Sequence, residues 1–114
     1  MSNVLAFKKP KKEVNFKIFG QHVAAGELNE AAKVIRDLVE CDLEQAERVA
    51  LHFRCKMEES PNIIMRTMEI RSLLELGEQN KALLAIQEVF GVTGEMSIKF
   101  LEVMKEQIQK DLQG

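Results

Sequence analysis

The sequence predicts an all-α protein of six short antiparallel helices, arranged in a repeat-like right-angled or superhelical stack. Three observations support this prediction. The 114 residues are rich in Ala, Leu, Glu, Lys and Gln, with only two prolines and no tryptophan or tyrosine, and this composition favours helices. Apolar residues recur at helical spacing through most of the chain. Helix starts recur about every seventeen residues, near positions 27, 43, 61, 78 and 95.

The first segment, residues 1–12 (MSNVLAFKKPKK), is expected to be a flexible basic arm. It has no apolar periodicity, begins at a chain terminus and carries lysines on both sides of Pro10. Its apolar residues Val4, Leu5 and Phe7 could dock onto the body of the protein or onto a partner, and the sequence does not decide between these. Residues 13–114 are expected to form a single α-helical domain.

Residues 13–25 can be interpreted in two ways. Val14, Phe16 and Ile18 alternate with polar residues, as in a strand, whereas Phe16, Phe19 and Val23 fit one face of a helix. A lone strand would have no pairing partner elsewhere in the chain, and its backbone groups would stay unsatisfied. The sequence therefore favours a helix here.

The second helix is predicted over residues 27–40, within the stretch GELNEAAKVIRDLVE that begins at Gly26. A similar stretch, GEQNKALLAIQEVFG, begins fifty-one positions later at Gly77 and predicts a helix over residues 78–90. The two stretches are identical at five aligned pairs: Gly26 and Gly77, Glu27 and Glu78, Asn29 and Asn80, Ala31 and Ala82, and Ile35 and Ile86. This is an internal repeat.

Capping signals bound the remaining helices. Asp42, with Gln45 three residues on, predicts the start of a helix that runs to about Glu58. Ser60 followed by Pro61 predicts the next start, and Gly77 the end of that helix after Leu76. Thr93 is expected to cap the last helix, which reaches about Leu112.

The helix rhythm and the repeated stretches resemble the tetratricopeptide family of helical repeat proteins. Gly26, Asn29, Ala31 and Ile35, repeated at positions 77, 80, 82 and 86, are similar to the segment in which a turn glycine leads into the second helix of such a repeat. The resemblance implies a stack of helix pairs that binds other proteins. The matching stretches lie three helices apart, which favours two copies of a three-helix unit, residues 13–58 and 61–112, over a regular tetratricopeptide array.

No residue set predicts catalysis, a metal site or a cofactor. Cys41, His52 and Cys55 lie within fifteen residues, but a closed zinc site needs a fourth ligand with matched spacing. Cys55 and His52 could pair as nucleophile and base, yet no orienting acid or oxyanion site accompanies them. The glycines are isolated and form no phosphate-binding loop. We expect a protein that is not an enzyme.

The methionines suggest a contact surface. Met57, Met65, Met68, Met96 and Met104 all lie on apolar stripes, where filling the core is the ordinary role of such residues. The alternative concerns Met65 and Met68, because their helix has an unusually wide apolar face. These two residues are candidates to contact a partner helix or peptide in an adaptable groove.

Charge is unevenly distributed, because residues 1–19 carry +4 in a chain with a net charge of −2. Lys8, Lys9, Lys11 and Lys12 are therefore candidate anion contacts. The sequence has no signal-peptide region and no apolar run of membrane-spanning length, so we expect a cytoplasmic protein that does not enter a membrane.

These observations favour a non-enzymatic protein–protein interaction module, of adaptor, chaperone-like or regulatory type, that binds another protein or itself. The alternative is a small regulator that contacts nucleic acid through its basic arm.

Overall fold

A computed structural model describes residues 15–60 and 62–113. Its helices are α1 (Phe16–Ala24), α2 (Leu28–Val39), α3 (Leu43–Glu59), α4 (Ile63–Glu75), α5 (Gln79–Phe90) and α6 (Gly94–Gln113). The described residues contain no strand, and the prediction of an all-α fold with six helices is confirmed. The arm at residues 1–12 lies outside the described part of the chain.

Segment 15–25 is helical, as expected. Asn15 caps α1, because its side-chain oxygen accepts a hydrogen bond from the backbone N–H of Ile18 at 2.8 Å. Phe19 and Val23, one turn apart, are both buried. Burial of this helical face outweighs the strand-like alternation of residues 14, 16 and 18.

Two predicted helix starts differ in outcome. Asp42 caps α3 as predicted, since its carboxylate accepts from the backbone N–H of Gln45 at 2.8 Å. The predicted start at Ser60 and Pro61 is wrong by two residues, because α4 begins at Ile63. Ser60 is instead the C-cap residue of α3, and its backbone N–H donates to the carbonyl of Lys56 at 2.8 Å.

The helices of residues 15–60 (the first half) match those of residues 62–113 (the second half) at the offset found in the sequence. α2 spans 28–39 and α5 spans 79–90; α1 and α4 end at 24 and 75; α3 and α6 begin at 43 and 94. Every connection is three residues long, at 25–27, 40–42, 60–62, 76–78 and 91–93. Connections of this length are typical of helix pairs that pack on each other, and successive helices do so within each half.

The turn before α2 and the turn before α5 have the same conformation. Gly26 and Gly77 both have φ of 81°. Their N–H groups donate to the carbonyls of Val23 at 3.0 Å and Leu74 at 3.1 Å, as in the common glycine-ended helix terminus. The halves thus share helix order and turn geometry, and their origin by duplication stays a prediction.

Contacts between the halves are reciprocal. Within each half the middle helix packs on both of its neighbours, α2 on α1 and α3, and α5 on α4 and α6. Between the halves, α3 packs on α5 and α2 packs on α6. Exchanging equivalent helices turns one of these pairs into the other, and α3 also contacts α4, the next helix along the chain.

The core is centred on Phe90, at the end of α5. Its ring centroid lies 5.6, 5.9 and 5.5 Å from those of Phe16, Phe19 and Phe53 in the first half. It also lies 5.0 Å from that of Phe100 in α6. The aromatic cluster therefore joins the halves rather than belonging to either.

Candidate interaction surface

The exposed face of α4 carries an apolar stripe. Its members, which we call the α4 stripe, are 55–75% exposed: Ile64 (55%), Met65 (66%), Met68 (66%) and Leu76 (75%). One side of the helix carries four residues at intervals of three and four positions: Met65, Met68, Ser72 and Leu76. The two methionines singled out in the sequence are thus at the surface, next to each other.

The stripe exists because α4 is apolar on both sides. Ile63 and Ile70 are buried against the rest of the protein, and the stripe points the other way. The wide apolar face expected for this helix is thus divided into a buried side and an exposed side. A helix that is apolar all round is normally buried all round.

Among its described residues, the equivalent face of α1 carries no large apolar side chain. At the fifty-one-residue offset of the repeat, Lys17 aligns with Met68, Gln21 with Ser72 and Ala25 with Leu76. Lys17, Gln21 and Ala25 are all exposed. The two helices otherwise end in the same turn. An apolar outer face is therefore a property of α4 and is not required by the three-helix arrangement.

Charged residues line both flanks of the stripe. On the side of α5, Arg66 binds Glu88, with Nη2 at 2.8 Å and Nε at 3.2 Å from Oε1, and its Nη1 lies 3.1 Å from Oε2 of Glu69. On the side of α6, Arg71 binds Oδ2 of Asp111 at 2.8 Å and Oε2 of Glu75 at 3.5 Å. Each arginine is held by two carboxylates, and both connect α4 to a neighbouring helix.

These pairs favour the charged forms of their members. The hydrogen bond to Glu88 raises the pKa of Arg66, and the same bond lowers the pKa of Glu88. The hydrogen bond to Asp111 is the main cause that raises the pKa of Arg71. These two arginines and four carboxylates together carry a charge of −2, and Lys56 and Lys105 lie near Glu88 and Glu75, respectively.

A shallow groove continues the surface beyond Met65. It has a volume of ≈ 450 Å³ and lies where the end of α3 meets the start of α4. Its lining includes Met65 and Arg66 from α4, Lys56 and Glu59 from α3, and Glu88 from α5. The stripe therefore opens at one end into a depression with polar walls.

The cysteines and His52 are placed in different surroundings. Among residues 15–60 and 62–113, no three His, Cys, Asp or Glu side chains are placed to hold a metal ion. Cys55 is exposed, whereas Cys41 is half-buried and burial raises the pKa of its thiol. His52 has a structural role, because its Nε2 donates to the backbone carbonyl of Glu88 at 3.0 Å and its ring packs on Gly91.

The lysines proposed as anion contacts, Lys8, Lys9, Lys11 and Lys12, lie outside the described residues. Their role stays a prediction.

Comparisons with known proteins assign no family. No family model, curated protein or solved structure matches the chain. Within the described residues, no helix combines the length and the apolar character that crossing a membrane requires.

Proposed function

We propose that the protein is a non-enzymatic protein–protein interaction module, and that a helix of another protein binds along the α4 stripe. The observation that carries the proposal is the apolar outer face of α4, since the described part of the equivalent face of α1 consists of Lys17, Gln21 and Ala25. Exposed apolar patches on otherwise polar surfaces commonly mark interaction sites.

The size of the stripe favours a single helix as its occupant. A stable interface between two folded proteins buries about 800 Å² on each partner and involves about 20–30 residues a side. The stripe offers four large apolar side chains along one helix. That is the scale of an amphipathic helix laid along an apolar surface with anchors every three or four residues.

Two of the four residues of the α4 stripe are methionines, and this suits a surface that adapts to its ligand. Their side chains are unbranched and have three rotatable bonds, so they can fill the irregular spaces that different apolar side chains leave. Leucine at the same positions would fit fewer partners.

The proposal is tested by capture from lysate with matched variants of the full chain. Met65→Glu/Met68→Glu changes the stripe, and Lys17→Glu/Gln21→Glu changes the equivalent face of α1. Both pairs are exposed, so far-UV circular dichroism should show that both variants fold. We expect a partner to be recovered by the wild type and the α1 variant and lost by the stripe variant.

A photo-crosslinking amino acid locates the contact. Ser72 lies within the stripe, and Gln21 is its equivalent on α1. We expect crosslinks to one partner helix from position 72 and none from position 21, as identified by mass spectrometry. Equal capture by the wild type and the stripe variant would refute the proposal.

A further inference from the structure

The carboxylates on both flanks of the α4 stripe can accept further hydrogen bonds. Each carboxylate engages its arginine through one oxygen only: Oε2 of Glu69, Oε1 of Glu88, Oε2 of Glu75 and Oδ2 of Asp111. A carboxylate can accept hydrogen bonds at both oxygens. The second oxygen of each is therefore able to accept from an incoming cation, while the arginines are already committed to two carboxylates apiece.

The four carboxylates are also reachable. Their side chains are 43–59% exposed, and they lie on both sides of the stripe, two toward α5 and two toward α6. Two lysines also lie near these carboxylates. Lys56 lines the groove beside Met65 together with Glu59 and Glu88, and Lys105 lines a second groove together with Glu75. The flanks as a whole thus present acceptors for positive charge along the full length of the stripe.

We propose that the helix bound by the α4 stripe is a basic amphipathic helix, with lysines or arginines on both sides of its apolar face. This inference rests on the proposed function and adds the chemistry of the partner. Its apolar residues contact Met65, Met68 and their neighbours, and its cations bind the outer oxygens of the flanking carboxylates. An acidic helix with the same apolar face would set like charges against each other on both flanks, which opposes binding.

Two synthetic peptides separate charge from apolar contact. Both have the same leucine stripe at helical spacing; one has lysines at the flanking positions and the other has glutamates. Each carries a fluorophore, and anisotropy measures its binding to the full-length protein at low and at high salt. We expect the lysine peptide to bind about tenfold more tightly or better at low salt, with a preference that shrinks as salt screens the exposed charges.

Three variants assign the effect to its residues. Met65→Ser/Met68→Ser removes apolar surface without altering charge, and should abolish binding of both peptides. Glu69→Gln/Glu75→Gln removes one carboxylate from each flank, and should remove most of the preference for lysine. Glu44→Gln/Glu47→Gln removes two exposed carboxylates from α3, and should leave the preference unchanged.

Several outcomes would overturn the inference. Equal binding of the two peptides through the stripe, or binding of neither, would refute a basic partner and leave the proposed function to its own test by capture and crosslinking. Binding that requires removal of residues 1–12 would identify that segment of the chain as the occupant. A mass of two chains that Met65→Ser/Met68→Ser returns to one would identify a second copy as the occupant.

Discussion

Both the backbone conformation and the side-chain packing at position 91 require a glycine. Gly91 ends α5 with a φ of +69°, in the left-handed region. A Cβ added there would lie 2.5–2.9 Å from three ring atoms of His52. The imidazole can occupy this place only because position 91 has no side chain, and from there it donates to the last turn of α5.

Replacing Gly91 with alanine should therefore cost more than replacing Gly77, which also has positive φ but has open space around it. Left-handed backbone costs a non-glycine residue about 1–2 kcal/mol at either position. Only Gly91→Ala must also displace His52 and break a hydrogen bond worth about 0.5–1.5 kcal/mol. We expect a lower urea midpoint for Gly91→Ala than for Gly77→Ala.

A double-mutant cycle checks the cause. In a His52→Ala background the collision is gone, and Gly91→Ala should lose only the backbone cost that Gly77→Ala loses. Strictly additive effects of the two substitutions would show that the ring and the glycine are not coupled.

At the scale of a helix, α1 and α4 show how far the sequence can lead. In α1 the helical period and the burial of Phe19 and Val23 agree, so the helix could be predicted despite a competing alternation. In α4 large apolar residues stand on nearly every side, and periodicity alone cannot say which side is buried. Contacts with α5 and α6 make that choice, and they depend on residues far along the chain.

The internal repeat contains part of the information that identifies the exposed side of α4. Aligning α4 with α1 places Met68 against Lys17 and Leu76 against Ala25, and a face that is polar in one copy is normally exposed in both. Ile70, which aligns with the buried Phe19, would then have been separated from Met68. Two of the ion pairs that flank the stripe lie within α4 at helical spacing. The other two, Arg66 with Glu88 and Arg71 with Asp111, join α4 to other helices, and no local pattern predicts them.

The pair of Arg66 and Glu88, which connects α4 to α5, predicts a pH dependence. Because the hydrogen bond lowers the pKa of Glu88 in the folded protein, the pair stabilises the fold above the unfolded pKa of about 4.3. That contribution is lost as the pH falls through the lower folded value. Both side chains are more than a third exposed, so we expect it to be below about 1 kcal/mol.

The measurement compares the wild type with Glu88→Gln, which keeps the shape but not the charge. Free energies of unfolding from urea titrations should favour the wild type at pH 6, and the two should converge as the pH drops below about 4. A difference that grows on acidification would contradict the assigned sign.

At the scale of the whole molecule, the reciprocal packing of the halves predicts that they fold together. Phe90 belongs to the second half by sequence, yet three of its four ring neighbours, Phe16, Phe19 and Phe53, come from the first. Neither half can keep this cluster alone. The molecule should therefore unfold in one cooperative transition, although its sequence repeats.

Phe90→Ala tests this cooperativity. Truncation of a buried phenylalanine costs about 3–5 kcal/mol, and here the loss should lower protection of slowly exchanging amides in α2 and α5 alike. Amide exchange followed by nuclear magnetic resonance is the suitable measurement, since the chain has no tryptophan or tyrosine to report by fluorescence. Leu84→Ala, an exposed change on the same helix, is the control and should shift stability by less than about 0.5 kcal/mol. If α5 loses protection while α2 keeps it, the halves are separate folding units, and the aromatic cluster joins them without coupling their stability.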